Sequence, residues 1–280
     1  MIDSTSTQVI VDSLKNTKSA SSSDWILHHV MDGDYLDFSP FFKLYLPHFE
    51  LFGIDLSITR HVLFMWLGSI LLFVVMTRVA KAYKSSMVPK GFTNFWELFI
   101  VFVRDEIAKP TIGKGFEKFL PYLLTAFFFI LFGNFLGLIP FSATFTSNIA
   151  VTATMAIFTF LVIQIGGMRN NGAFGYFKGL IPHGVPVFLL PIMIVVELLG
   201  LLAKPFALAI RLFANMTAGH IVIYALISLI FVMQSVGWAV LAIPMALFIY
   251  GLEVLVALLQ AYIFTMLSSL FIGMAVHQDH

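Results

Sequence analysis

Hydrophobic positions in this chain fall into long unbroken runs, not into the short alternations or one-sided stripes of a water-soluble fold. The first run, HVLFMWLGSILLFVVMT at 61–77, is bounded by Arg60 and Arg78. It predicts a span over 58–78, near the ~20 residues that a bilayer crossing needs. Two further runs predict a transmembrane hairpin over 120–167: 120–140, closed by Pro140, and 149–167, closed by Gly166-Gly167. The connection between them, FSATFTSN, carries no charge and reads as a short turn. Between the first span and the hairpin, FTNFWELFIVFVRDEIAKP places apolar residues at 95, 96, 98, 99, 102 and 103 and charges at 97, 104, 105 and 106. That pattern predicts an amphipathic helix over 92–109 lying at the membrane interface, with Pro110 ending it.

The last hundred residues hold two exceptionally long runs, 187–231 and 237–276. A continuous helix over the first would be ~67 Å long at ~1.5 Å per residue, more than twice the ~30 Å hydrocarbon thickness. Each run is therefore either two crossings or one long inclined helix. Two crossings need a polar turn inside the run. AKP at 203–205 is the only polar break, and a proline kinks a membrane helix without ending it. Two long, steeply tilted helices joined near Gln234 fit better. The expected fold class is an all-α membrane protein.

Composition agrees. Of 280 residues, 59% are apolar and 11% charged, against about a quarter charged in soluble chains; the mean hydropathy is +0.94. With no cysteine there is no thiol catalysis, Cys-based metal site or disulfide. A net charge of +1 argues against a nucleic-acid partner. Residues 1–57 carry three Lys against eight Asp/Glu, whereas 78–118 carry eight Lys/Arg against four Asp/Glu. The positive-inside rule then places the N-terminal segment outside and 78–118 in the cytoplasm, and the parity of spans puts the C-terminus inside. The N-terminal segment has no basic stretch leading into an apolar core, so no cleavable signal is read there.

The chemistry concentrates in the long runs. Glu197, Lys204 and Arg211 are seven apart and drift only about 20° per step on one helix face. Asn215 is one turn beyond Arg211, while His220 points to roughly the opposite side. In the second run Glu253 and Gln260 are also seven apart. A charge at the centre of a membrane helix costs ~2.5–3.5 kcal/mol, which calls for a partner or a watered path. Lys204 has a simpler reading, snorkelling to the interface with Glu197 as its ion-pair partner. Arg211 is too deep for that. If the two helices pack antiparallel about 234 with a stagger, His220 and Glu253 meet, and such residues are the material of a proton relay. The adjacent His28 and His29, with His48, are of a metal-ligating type, but two adjacent histidines more often carry no site, and no metal or cofactor site is expected.

These residues carry a family resemblance. AKPFALAIRLFANMTAGH (203–220), LLQAYIFTMLSSLF (258–271) and FFFILFGNFLGLIP (127–140) resemble subunit a of the rotary F-type ATP synthases, over about 60–275. The resemblance implies a stator subunit whose partners are a ring of c subunits, the peripheral-stalk b subunits and the rest of the synthase. It implies that Arg211 faces the proton-carrying carboxyl of the ring. Asn134, Asn215, His220 and Glu253 match residues of an outer half-channel, Glu197 and Lys204 match residues near an inner one, and Gln260 matches a glutamine close to the arginine. Many bacterial members have an acid where this chain has His220 and a histidine where it has Glu253, so the exchange itself implies that the two touch. A guanidinium never releases its proton, so it bars direct passage between the half-channels. The implied setting is a bacterial inner membrane, with an organellar inner membrane as the other option. No Walker A loop occurs, so ATP chemistry would reside on other subunits. The competing function is a secondary cation or proton transporter, against which no paired broken-helix repeat is found. No HExxH motif marks an enzyme, and Ser228 with His220 is a weak nucleophile–base pair.

Overall fold

The computed structural model describes residues 33, 35–38, 42–47, 50–51, 54–55, 57–85, 91–139, 142–179, 187–233 and 236–277. His28, His29 and His48 lie outside these residues, as does Pro140.

Every apolar run becomes a helix, because in lipid the backbone must satisfy its own hydrogen bonds. The helices are α1 (Arg60–Ser85), α2 (Phe92–Val101), α3 (Lys109–Ile112), α4 (Leu120–Gly137), α5 (Ile149–Asn171), α6 (Ala173–Gly179), α7 (Leu190–Met233) and α8 (Ala239–Val276). Helices α1, α4, α5, α7 and α8 are long and apolar enough to cross a membrane. The N-terminal segment adds two small antiparallel ladders, β1 (Tyr35–Phe38) with β2 (Phe42–Tyr45) and β3 (Glu50–Leu51) with β4 (Ile54–Asp55). Apolar patterning gives no sign of these short strands.

Helix α7 runs unbroken for 44 residues with Pro205 inside it, and α8 for 38 residues with Pro244 inside it. At ~1.5 Å per residue these are ~66 and ~57 Å long. They pack against each other as an antiparallel pair, with α4 and α5 seated against them. The core forms where α4 and α8 meet, around Phe127, Phe128, Ile130, Ala261 and Phe264. Ala257 and Ala261 on α8 are fully buried small residues, which let a neighbouring backbone approach closely.

Several expected helix ends differ, and α1 runs past Arg78 to Ser85. Gly166-Gly167 do not close α5, which runs on to Asn171 and stops at Gly172 with φ 72°. The glycine pair instead makes room: a Cβ on Gly166 would press on the Phe119 ring, and one on Gly167 would overlap Tyr176. Nor does Pro110 end the interfacial segment. A π-helix, Phe102–Ala108, follows α2 and passes into α3, which holds Pro110. The stop is Gly113, with φ 73°. The first arm of the hairpin ends at Gly137, before the proline.

The interfacial segment is fixed by aromatics on one side and by α8 on the other. Trp96 stacks on Phe132 at 5.3 Å and meets Phe128 edge-on at 5.9 Å. Thr111 Oγ1 lies 2.5 Å from Ser269 Oγ, and Gly273 leaves room for the Thr111 carbonyl. The carbonyls at the end of α8, which have no helical partner, accept from the side chains of Asn170 (Val276 O, 2.7 Å) and Asn171 (Ala275 O, 3.0 Å).

Candidate functional site

The α7–α8 pairing sets the site. Along α7, Leu208, Leu212 and Met216 are buried at intervals of four, and His220 continues that row. His220 therefore points into the pair, away from Arg211. Its partner is Glu253: His220 Nδ1 lies 3.3 Å from Glu253 Oε1, with the glutamate side chain only 4% exposed. The contacts Asn215–Gln260 and Lys204–Phe271 keep the same antiparallel register further along.

Both imidazole nitrogens are engaged. His220 Nε2 is 2.7 Å from Thr144 Oγ1, so the ring bridges a hydroxyl and a carboxylate. Such a ring can accept a proton on one nitrogen and release one from the other. Beyond the imidazole, the buried Glu253 oxygens have no hydrogen-bond partner among the described residues. Gly219 is what admits the carboxylate, since a Cβ there would overlap it.

The connection 142–148, expected to be a plain turn, folds back into the membrane part and lines the site. Thr144, Phe145 and Thr146 are buried. Gly133 and Gly137 on α4 lack the Cβ atoms that would strike Phe145 and Thr144. Ser147 Oγ donates to the Thr144 carbonyl at 2.6 Å and lies 3.2 Å from Nε2 of His61, at the start of α1. Thr146 Oγ1 donates to Asn134 Oδ1 at 2.7 Å, and Asn134 Nδ2 donates to the Ala257 carbonyl at 3.3 Å. Asn215 Nδ2 donates to Gln260 Oε1 at 2.9 Å. Glu253, Ala257 and Gln260 recur every turn on α8, so these contacts form one polar column ~10 Å long inside an apolar bundle. Its far end, at Asn215, is one turn from Arg211.

Arg211 itself is half-buried and makes no hydrogen bond or ion pair with any described residue. Beside it the exposed face of α7 carries Ala203, Ala207, Ala214, Ala218 and Ala225, a flat strip of small residues. Glu197 and Lys204 do not pair with each other. Lys204 Nζ sits 5.3 Å over the Phe271 ring. Glu197 lies on the α6 side: burial, joined by the nearby Glu197 charge, pushes the Tyr176 phenol above its ordinary value, while a Gln164 hydrogen bond opposes this. Glu197 and His220 thus stand on opposite sides of Arg211 along α7, ~21 and ~13 Å from it at 1.5 Å per residue.

The structure brings together His220 with Glu253, and Asn215 with Gln260, and places Asn134 between them. Thr144, Thr146, His61, Tyr176 and Gly219 are additions that patterning does not reveal. Only Gly219 had a sequence signal, being a glycine inside a helix where alanine is worth ~1 kcal/mol more.

Comparison with known proteins gives a consistent result. The family model described as ATP synthase A chain matches residues 62–273. The ATP synthase subunit a of Chloroherpeton thalassium is 52% identical over 258 residues, covering 91% of this chain and 77% of that one. ATP synthase subunit a 2 of Chlorobaculum tepidum is 50% identical over 261 residues, covering 91% and 74%. The ATP synthase subunit a of an Anaeromyxobacter species is 54% identical over 236 residues, covering 82% and 57%.

Proposed function

The chain belongs to the ATP synthase A chain family, and from that premise we propose that it is the stator proton channel of a rotary ATP synthase membrane sector. Two half-channels, offset and closed to each other, pass protons to and from carboxyls on a rotating ring of c subunits. The peripheral-stalk b subunits hold the chain against rotation, and the nucleotide sites reside elsewhere in the synthase. The setting is a bacterial inner membrane, the N-terminus outside and the C-terminus in the cytoplasm.

One observation carries this reading: a polar column runs through the bundle and stops one turn short of a guanidinium that has no partner among the described residues. On the outer side, protons pass by His61, Ser147, Thr144, His220 and Glu253 toward Asn134 and the Asn215–Gln260 pair. On the inner side, Glu197 with Lys204 and Tyr176 forms the exit. Arg211 stands between them. It attracts a ring carboxylate, favours its ionised form by its own charge, and cannot itself carry the proton across. The strip of alanines beside it lets a ring helix approach closely. Burying two helices ~60 Å long obliquely gives the curved ring a seat that an upright helix would not. Rotation is then the only route between the half-channels. Each proton driven by 100 mV supplies ~2.3 kcal/mol, so several must be summed per ATP. A secondary transporter draws no support from the family relatives.

Because this chain has no cysteine of its own, sidedness is directly measurable. In membranes holding the full synthase, His220→Cys is expected to react with an impermeant thiol reagent from the outer face alone, and Glu197→Cys from the cytoplasmic face alone. Reaction of either from both faces would remove the two-half-channel account.

A further inference from the structure

A second polar feature stands apart from the proton path. Between the loop that precedes α4 and the C-terminal part of α5 is a cavity of about 640 Å³ whose lining includes Lys114, Lys118 and Arg169. All three cations are exposed, and none forms an ion pair with a described residue. Glu117 is adjacent in sequence but does not line the cavity. The loop is held in place, with the Lys114 carbonyl 3.2 Å from His277 Nε2 at the end of α8. Three charges at one opening, with no carboxylate partner among the described residues, repel each other, and an anion between them removes that cost.

The remaining wall is apolar. Phe119 and Ile165 line the cavity, and Ile165 continues into an exposed row on α5 with Leu161 and Phe158. That row leads away from the cations toward the centre of the span for ~10 Å. A free phosphate would use the cations and leave the apolar row unoccupied. A phospholipid uses both.

We infer that this cavity binds an anionic phospholipid, its phosphate among Lys114, Lys118 and Arg169 and one acyl chain along Ile165, Leu161 and Phe158. The site anchors the loop–α4–α5 corner to the lipid leaflet on the side of the interfacial helix. It uses none of the residues assigned to proton passage, so it stands or falls independently of that function.

Native mass spectrometry of the assembled membrane sector tests it, with phosphatidylglycerol and phosphatidylcholine of identical acyl chains titrated in competition. A basic residue near an anionic surface contributes roughly fivefold to binding, and screening trims the sum of three. The wild-type sector is expected to prefer phosphatidylglycerol by at least about tenfold at one site. Combining Lys114→Gln, Lys118→Gln and Arg169→Gln is expected to bring that preference within about twofold, with ATP-driven proton pumping retained. The matched control Lys81→Gln with Lys84→Gln keeps the wild-type preference. If the triple variant does not assemble, Lys114→Gln alone, at an exposed position, is expected to lower the preference about threefold. Equal binding of the two lipids in the wild type, or an unchanged preference in the variants, overturns the inference. Displacement of the lipid by an equal concentration of glycerol phosphate would also overturn it, revealing a soluble-phosphate site instead.

Discussion

Two positions on one helix, nine residues apart, solve the problem of buried polarity in opposite ways. At His220 the imidazole finds Thr144 and Glu253 within its own chain, and the carboxylate finds room beside Gly219. Nine residues earlier, Arg211 carries a permanent charge and has no partner among the described residues. A charge in lipid is costly at either place. The difference teaches where the partner resides. His220 meets its neighbours within the folded chain, whereas the proposed function gives Arg211 its counter-charge from a ring carboxylate.

That contrast is breakable, and apart from the loss of Arg211 itself the largest change is expected at Gly219. Gly219→Val drives a side chain into the Glu253 carboxylate, and overpacking of this kind costs ~1–3 kcal/mol. Proton pumping by the assembled synthase should then be abolished, with a lowered melting temperature of the sector. Next come the relay partners. His220→Ala and Glu253→Ala should each slow passive proton flow through stripped vesicles by about a hundredfold, the lower end for lost proton transfer. Because the two act as one unit, the double variant should be no slower than the worse single one. The exchange His220→Glu with Glu253→His should recover more flow than either single change, since it keeps one of each group in contact. Full-rate flow in either alanine variant would end the relay assignment.

Smaller effects sharpen the comparison. Asn134→Ala leaves Thr146 Oγ1 and the Ala257 carbonyl without their buried partner, which costs ~1–3 kcal/mol. Thermal unfolding of the sector should register this while pumping persists at a reduced rate. Lys204→Ala should matter least. It removes an ammonium over the Phe271 ring, a contact worth ~0.5–1 kcal/mol, and no ion pair with Glu197. A large loss of pumping in Lys204→Ala would instead make the ammonium charge indispensable to the inner exit.

Hydrophobic runs made the long helices legible, because lipid leaves the backbone no alternative to helix and because neither long run contains a polar turn. The absence of any such turn around Pro205 read correctly as one kinkable helix. The His220–Glu253 contact was legible from cost and register: two expensive residues on facing helices, each needing an answer. What escaped had no cost to announce it. Thr144 and Thr146 sit in an uncharged connection that any polar turn would resemble, and their inward fold depends on Gly133 and Gly137 of a different helix. Gly166-Gly167 misled for a related reason. A glycine pair marks either a helix end or a close approach, and only the position of Phe119 and Tyr176 decides which. The π-helix at Phe102–Ala108 and the short N-terminal ladders depend on tertiary contacts and hydrogen bonds that periodicity does not encode.

The central claim is that Arg211 separates two half-channels. The direct measurement is ATP-driven proton uptake into vesicles bearing Arg211→Ala, paired with passive proton leak after the soluble sector has been stripped away. The account predicts that uptake vanishes while leak persists or rises, since the barrier is gone but the path remains. Pumping at near the normal rate would contradict it, reducing Arg211 to a structural cation and leaving the polar column without its gate.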